Sequence, residues 1–333
     1  MYPADAEFGF ELLVCRWAEE SWPPGGRRDS AVLVARQLGT KRRRWDTVVV
    51  ECDPAGLAAR AEFGDRTLDS DLLHVVRNAP EEWAWYRDAL PHPGYPWRYV
   101  RAAVHRAADR GVVETRRRGN RIEIRRIAPY PDWVRRIVAV ENKPDLDASA
   151  ARALSDQLER DVETGLADEV WVATATTGRR VEPALLEDVP VEVGILTMSF
   201  DSDLSEWATA NVEWHPSDVV PARAEGDDER ETTRLELAER AYGTGWRSFH
   251  ETMRPDCRHF ELRRFGEALV PHCAAKGRSQ TAAECAGSCP DFEPEPPAWR
   301  TKGWPIEGGP GAAIRRLLGD RRERVRRREA RSD

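Results

Sequence analysis

The pattern of apolar and polar residues indicates an α/β segment at the start of the chain. Within residues 7–22, apolar residues recur at the three- and four-residue spacing of a helix. A Pro-Pro-Gly-Gly break follows, and the next two apolar runs, AVLVARQLG (31–39) and WDTVVVEC (45–52), have the composition of strands. The short basic turn TKRRR joins these runs, so they are predicted to form a β-hairpin.

Residues 68–127 carry a different pattern, in which three helical stretches precede a hairpin. The helical stretches are LDSDLLHVVRNA, EEWAWYRDAL and PWRYVRAAVHRAADRG, and the hairpin VVETRRRGNRIEIRRI turns at Gly119-Asn120. Three helices closed by a basic hairpin resemble a winged helix-turn-helix, in which one helix enters the DNA major groove and the hairpin touches phosphates.

A second α/β segment begins with RRIVAVENKPD (135–145), an apolar run that Pro144 stops. A helix capped by Asp147 is predicted next, because leucine and valine residues recur four positions apart. EVWVATA (169–175) and VEVGILTM (191–198) then have the composition of buried strands. The order strand, helix, strand, strand predicts an α/β fold with a mixed sheet flanked by helices.

These patterns divide the chain into five predicted parts, 1–66, 67–131, 132–214, 228–300 and 301–333. The first and third parts are expected to form one core, with the winged unit inserted between them. A polar, acidic linker around 221–231 precedes the fourth part, which holds a helix at Thr232–Tyr242 and a Cys-bearing region. The last part is an Arg-rich tail, expected to be a solvated helix or a frayed end, with DNA contact as the alternative.

Charge and lysine content narrow the function classes. The net charge of −7 argues against a uniformly basic protein that coats nucleic acid. Nearly all of the positive charge is arginine, because the chain has only four lysines, Lys41, Lys143, Lys276 and Lys302. This lysine-poor, acidic composition resembles that of proteins from salt-loving archaea. A lysine that is retained in such a composition, such as Lys143, is therefore a candidate functional residue.

The sequence predicts a cytoplasmic protein without a membrane segment. No apolar stretch reaches the ~20 residues that span a bilayer, and the N-terminus lacks the features of a signal peptide. The six cysteines are then expected to be thiols or metal ligands rather than disulfides. Cys15 and Cys52 lie alone on apolar elements and are expected to be packed thiols.

The candidate chemistry lies at the end of the apolar run at 135–145. Side chains alternate across a strand, so Glu141 and Lys143 are expected on one face. Asp46 begins WDTVVVEC, a strand expected to lie beside this one, so that its carboxylate could meet that of Glu141. Two neighbouring carboxylates repel each other, and a hard cation such as Mg²⁺ relieves that repulsion. The alternative is an ordinary salt bridge between Glu141 and Lys143.

Asp46, a long insert, and Glu141-Asn142-Lys143 before an amphipathic helix resemble the PD-(D/E)XK nuclease superfamily. The resemblance implies a restriction-endonuclease-like core in which Asp46 and Glu141 hold Mg²⁺ or Mn²⁺, helped by the main-chain oxygen of Asn142. It also implies that Lys143 orients or activates the attacking water and that Glu11, or Glu7, completes the site. Trp45 replaces the proline of the motif, and the inserted unit accounts for the 94 residues between Asp46 and Glu141. The chain also resembles a haloarchaeal family of unknown function.

These features predict a divalent-metal-dependent nuclease that hydrolyses phosphodiester bonds in DNA, of a repair or defence type. The alternative is a non-catalytic nucleic-acid-binding protein or regulator on a degenerate nuclease scaffold. A third possibility is an interaction module whose Cys site only holds the C-terminal region together.

The inserted unit supplies the candidate nucleic-acid contacts, and double-stranded DNA is the expected partner. Arginine on phosphate positions a protein without reading sequence. The alternatives are a solvated Arg-rich surface and a protein-binding winged domain. The candidates on the third helix are Arg98, Arg101, His105 and Arg106, and those on the hairpin are Arg116, Arg117, Arg118 and Arg121.

A possible second metal site lies near the C-terminus, where the four cysteines Cys257, Cys273, Cys285 and Cys289 follow C-x15-C-x11-C-x3-C. Four thiolates suit tetrahedral zinc or a 4Fe-4S cluster. Some PD-(D/E)XK nucleases carry a four-Cys cluster, but there one Cys precedes the core, so zinc is the first expectation and the iron–sulfur cluster the alternative. His259 and His272 could replace a ligand, and unligated thiols or a disulfide remain possible.

Overall fold

The structure is a computed structural model, and it describes residues 3–26, 30–40, 43–92, 94–175, 187–200, 208–217, 227–246, 257, 259–265, 268–279, 289–291 and 293. Seven helices lie in these ranges: α1 Pro3–Ser21, α2 Pro54–Ala61, α3 Ser70–Asn78, α4 Tyr86–Ala89, α5 Trp97–Asp109, α6 Ala148–Thr164 and α7 Asp227–Thr244. The strands described are β1 Ala31–Gly39, β2 Arg44–Cys52, β3 Ala84–Trp85, β4 Val113–Arg118, β5 Arg121–Arg126, β6 Val134–Asn142, β7 Glu169–Ala175, β8 Gly194–Phe200, β9 Ala208–Trp214, β10 Phe260–Phe265, β11 Ala268–Cys273 and β12 Arg278–Ser279.

The core of the protein is a six-stranded mixed sheet in the order β1-β2-β6-β7-β8-β9. β2 runs antiparallel to both of its neighbours, β1 and β6. β6, β7 and β8 are parallel to one another, and β9 closes the sheet antiparallel to β8. Helix α6 connects the parallel strands β6 and β7, as a parallel crossover requires. The predicted α/β fold with a mixed sheet is confirmed, and β9 is a strand that the sequence pattern did not reveal.

Helices cover both faces of this sheet because the central strands present apolar side chains on both faces. On one face, Phe10 and Val14 of α1 pack against Val138 and Val140 of β6. On the other face, the helices α6 and α7 pack against the alternate β6 residues, such as Ile137. A sheet buried on both faces has continuous apolar strands, and this explains the runs seen in the sequence.

A second unit, with its own sheet and hydrophobic core, lies between β2 and β6 in the sequence. Its core joins α3 and α5 to the inner face of a three-stranded sheet in the order β3-β5-β4. The β4–β5 hairpin turns at Gly119, as expected. The helix predicted over EEWAWYRDAL is largely wrong: Ala84–Trp85 pair with β5, and only the four-residue α4 follows. Hydrogen bonding of this segment to β5 favours an extended conformation there, although the sequence has the periodicity of a helix.

A buried ion pair ties α2 of the first α/β segment to α7. Arg60 and Glu239 have fully buried side chains, and two guanidinium nitrogens of Arg60 donate to the Glu239 carboxylate. That carboxylate also accepts hydrogen bonds from the main-chain N–H of Leu68 and from the Tyr130 hydroxyl. Residues on both sides of the inserted unit therefore converge on one buried carboxylate.

The C-terminal part of the chain departs from its predicted boundaries. Helix α7 begins at Asp227, so the last residues of the expected acidic linker are helical. Strands β10, β11 and β12 form a small antiparallel sheet, and β11 lies near α1. The expected tail at 301–333 lies outside the described residues. None of the helices in the described part of the chain has the length and apolar composition of a membrane-spanning helix.

Candidate active site

Asp46 and Glu141 lie opposite each other on neighbouring strands. Thr47 of β2 pairs with Val140 of β6 in an antiparallel register, which places Asp46 across from Glu141. The main-chain N–H of Asn142 donates to Oδ2 of Asp46 at 3.0 Å. The structure thus brings these three residues to one end of the sheet, and Lys143 follows directly with its main-chain N–H bound to the oxygen of Ala173 at 2.9 Å.

Asn142 is held rigidly in this arrangement. Its side chain is fully buried, and Nδ2 donates to Oγ1 of Thr47 at 2.9 Å. A residue in an extended strand presents its N–H and C=O in the same direction, so the main-chain oxygen of Asn142 also points toward β2. This is the side on which Asp46 lies, as a main-chain ligand at this position requires.

Glu11 joins the site from helix α1. Gln37 donates from one side-chain nitrogen to Oε1 of Glu11 at 3.1 Å and to Oδ1 of Asp46 at 3.0 Å, so it bridges the two carboxylates. Arg36 also donates to Oε1 of Glu11, at 3.2 Å. Gln37 has a φ of +52°, which few residues other than glycine adopt. The side chain of Glu7, the other candidate, lies outside the described residues.

Two carboxyl groups of this cluster, those of Glu11 and Glu141, have raised pKa values. Burial is the largest cause of the raised pKa of Glu141, the negative charge of Asp46 adds to it, and Arg43 opposes it. Burial likewise raises the pKa of Glu11 to about 7, against the opposing charge of Arg36. These shifts show that the positive groups present compensate the buried carboxylates only in part, and a bound cation would complete that compensation.

Arg43 is a member of the site that the sequence did not single out. Nη2 of Arg43 contacts Oε2 of Glu141 at 2.9 Å and Oδ2 of Asp161 at 2.8 Å, while Nε donates to Oδ1 of Asp161 at 2.9 Å. The Asp161 side chain is only 2 % exposed and belongs to α6, 118 positions from Arg43. The basic turn TKRRR was the only available signal, and it did not indicate which arginine turns inward.

The donors present fit a magnesium-like ion. Mg²⁺ takes oxygen ligands, uses one or two carboxylates and keeps several waters. Asp46, Glu141 and the main-chain oxygen of Asn142 provide this chemistry. Within the residues that the structure describes, no three His, Cys, Asp or Glu side chains are grouped closely enough to hold a metal ion by themselves. An ion here would therefore depend on water or substrate oxygens for its remaining ligands.

The predicted nucleic-acid contacts of the insert fall into two groups. On α5, Arg98 stacks on Tyr99 at 4.8 Å, Arg106 is paired with Asp69 and Asp71, and Arg101 and His105 are exposed. On the hairpin, Arg116 and Arg118 contact Glu123, Arg117 donates to the main chain of Gly119, and Arg121 lies over the ring of Trp85. Acidic neighbours thus partly neutralise several of these arginines.

The predicted four-Cys site is described only in part. Cys257 is a buried thiol, and Cys273 and Cys289 are partly exposed thiols, while Cys285 lies outside the described residues. Nε2 of His259 lies 3.8 Å from the Glu293 carboxylate, and His272 is buried. Cys15 and Cys52 are fully buried thiols, in agreement with their predicted packing role.

Comparison with known proteins adds a family but no activity. No solved structure matches the chain. The chain is similar to the ATP synthase subunit delta of Anaeromyxobacter sp. (strain K), with 30 % identity over 142 residues that cover 38 % of this chain and 74 % of that protein. A family model of unknown function matches residues 33–294, a range that begins in β1 and includes Asp46, Glu141 and Lys143. The chain therefore belongs to this family of unknown function, DUF5787.

Proposed function

We propose that this protein is a divalent-metal-dependent nuclease that hydrolyses phosphodiester bonds in DNA. The observation that carries the proposal is the placement of Asp46 opposite Glu141, with the Asp46 carboxylate bound to the main-chain N–H of Asn142. Two carboxylates separated by 94 intervening residues meet at the end of a shared sheet, where open α/β sheets place their ligand sites.

Each residue of the site has a distinct role in this proposal. Asp46 and Glu141, with the main-chain oxygen of Asn142, hold Mg²⁺ or Mn²⁺, which when bound supplies acidified water and neutralises charge on the scissile phosphate. The Lys143 side chain orients the attacking water as an ammonium, or accepts its proton as the neutral amine. Glu11, linked to Asp46 through Gln37, fixes the position of the Asp46 carboxylate.

The insert is proposed to be a winged helix that grips double-stranded DNA. Its order of helix, short strand, short helix, helix and hairpin supports this assignment, as does the exposed arginine on α5 and on the hairpin turn. The C-terminal thiols Cys257, Cys273, Cys285 and Cys289 are proposed to hold a structural zinc ion, with a 4Fe-4S cluster as the alternative. The absorption spectrum separates the two, because only the cluster absorbs visible light strongly.

A second candidate function is supported by Arg43. Its guanidinium binds the same Glu141 carboxylate that a metal would need, and Asp161 holds it there. A site in which an arginine permanently replaces the cation would lack catalysis. The protein would then be a non-catalytic nucleic-acid-binding protein or regulator on a degenerate nuclease scaffold.

A cleavage assay separates the two functions. Purified protein is incubated with linear and supercoiled DNA and Mg²⁺ or Mn²⁺, across a range of salt concentrations because phosphate contacts weaken as salt rises. The nuclease proposal predicts cleavage that Lys143→Ala abolishes while DNA binding remains. The matched control is Lys276→Ala, since Lys276 lies in the turn before β12, far from the sheet end in the sequence. Equal behaviour of wild type and Lys143→Ala would remove the catalytic claim.

A further inference from the structure

The outward face of the three-stranded sheet in the insert carries two tryptophans. In β5, Ile124 points inward to the core of the insert, so its neighbours Glu123 and Arg125 point outward. Trp85 pairs with Glu123, and Trp83 precedes it by two residues, so both indoles belong to the outward side, while Trp85 also packs against the core of the insert. Both tryptophans are partly exposed.

Arginine side chains lie on these two indole rings. The guanidinium carbons of Arg116 and Arg125 are 4.5 and 4.9 Å from the centre of the Trp83 ring. Those of Arg121 and Arg87 are 4.7 and 5.7 Å from the centre of the Trp85 ring. A guanidinium over an indole ring is attracted by the ring, and those of its N–H groups that have no acceptor within the protein can bind an anion.

Two glutamates fix the arginines without cancelling their charge. Glu123 accepts from Arg116 at 2.6 Å and also contacts Arg118, and Glu114 accepts from Arg125 at 2.6 Å. The side chains in these contacts include five arginines and two glutamates, in a chain whose net charge is −7. A positive, aromatic face on an acidic protein is complementary to a polyanion that has flat rings.

We propose that this tryptophan–arginine face, formed by Trp83, Trp85 and the arginines stacked on them, binds an unpaired stretch of nucleic acid. Unpaired bases stack on aromatic rings and on guanidinium planes, while nearby arginines hold the phosphates. Paired bases are stacked on each other inside the duplex and leave no ring face for an indole. This surface goes beyond the proposed nuclease activity and does not depend on it.

Fluorescence anisotropy tests the proposal with the full-length protein in EDTA. The probes are a labelled single-stranded oligonucleotide of about 20 nucleotides, prepared as DNA and as RNA, and a DNA duplex of the same sequence. Trp83→Ala and Trp85→Ala are each expected to weaken single-strand binding roughly tenfold or more and to leave duplex binding nearly unchanged. Trp83→Phe retains a ring and is expected to keep most of the single-strand affinity.

Trp214→Ala is the matched control, because Trp214 is 47 % exposed and lies on β9 of the other sheet. Circular dichroism verifies that each variant is folded. The proposal is overturned if the folded alanine variants bind the single strand as the wild type does, or if they lose single-strand and duplex binding equally. EDTA prevents metal-dependent cleavage during the binding measurement, so the two proposals fail independently. A protein that binds single strands in EDTA but does not cut DNA in the presence of Mg²⁺ or Mn²⁺ would contradict the proposed nuclease and leave the proposed binding surface unaffected.

Discussion

The main-chain N–H of Asn142 donates a hydrogen bond to the carboxylate of Asp46 across 96 positions of the chain. This hydrogen bond to a side chain adds to the main-chain pairing between the start of β2 and the end of β6. It orients the Asp46 carboxylate beside Glu141, and the negative charge of Asp46 raises the pKa of Glu141. The protonation of Glu141 therefore depends on the charge of Asp46.

Substitutions of Asp46 separate its charge from its hydrogen bonds. Asp46→Asn keeps an acceptor for the N–H of Asn142 and removes the charge, but its amide nitrogen cannot accept from Gln37. It should therefore lower the pKa of Glu141 and reduce the free energy of unfolding less than Asp46→Ala does. It should still reduce cleavage by roughly 100-fold or more, since a metal ligand is lost. Asp46→Ala should also unfold more easily by about 1–3 kcal/mol, because it leaves the Asn142 N–H unpaired. Urea denaturation and a cleavage assay measure both effects; equal stability losses in the two variants would contradict this assignment.

Local patterns in the sequence account for much of the fold. The apolar runs in β1, β2, β6 and β7 were visible because the middle of each strand is buried on both faces and is therefore continuously apolar. The Asp147 cap of α6 was equally readable, since its side chain accepts from the N–H of Ala150 at 2.8 Å. Signals of this kind depend on neighbouring residues and need no knowledge of the tertiary structure.

The rest of the site depends on contacts that sequence spacing does not encode. Arg43 is one of several arginines in a basic turn, and only the position of α6 determines that it meets Asp161. Gln37 is a polar residue in an otherwise apolar strand pattern. It bridges Glu11 and Asp46 from a backbone position with a positive φ, and no local sequence motif predicts that conformation. The short strand β3 likewise exists because β5 lies beside it.

The raised pKa of Glu11 predicts a specific pH dependence of stability. The folded protein holds a proton on Glu11 up to about pH 7, whereas the unfolded chain releases it near the ordinary value of 4.5. The folded state therefore binds more protons between these values, and stability falls as pH rises from about 4.5 to about 7. The loss from this group should approach roughly 3 kcal/mol above that range.

Unfolding by urea at pH 5 and pH 8, in EDTA, measures this dependence. Glu11→Gln cannot ionise and should lack this part of the loss, so it should be the more stable protein at pH 8. Glu20→Gln provides the control, because Glu20 lies on the same helix in an exposed pair with Arg16. If Glu11→Gln and wild type lose stability in parallel over this range, the buried carboxyl is not protonated at neutral pH.

The Arg60–Glu239 pair should be essential to the folded core. Both side chains are fully buried, so Arg60→Met leaves an uncompensated carboxylate and should reduce the free energy of unfolding by about 3–5 kcal/mol. Arg106→Met removes an exposed arginine paired with Asp69 and Asp71, and it should cost no more than about 1 kcal/mol. Chemical denaturation monitored by circular dichroism compares the two variants, and similar losses would show that the buried pair carries no special weight.

Arg43 determines how the site behaves without metal. Its guanidinium neutralises Glu141 and Asp161, whose side chains are 9 % and 2 % exposed, so it occupies the electrostatic role that a divalent cation would take. A cation that binds Glu141 must compete with Arg43 or displace it. Removal of the guanidinium should therefore destabilise the metal-free protein and strengthen its response to Mg²⁺.

The measurement is the thermal midpoint of Arg43→Met and of wild type, each in EDTA and at increasing Mg²⁺. In EDTA the variant should be less stable by about 1.5–3 kcal/mol, because buried carboxylates lose charged hydrogen bonds. Mg²⁺ should then raise its midpoint more than that of wild type, since a ligand stabilises the folded state in proportion to its affinity. Arg16→Met, which alters only an exposed pair on α1, should match wild type in both conditions. A smaller response to Mg²⁺ in Arg43→Met than in wild type would mean that Arg43 supports cation binding instead of competing with it, and an equal response would place the cation away from Glu141.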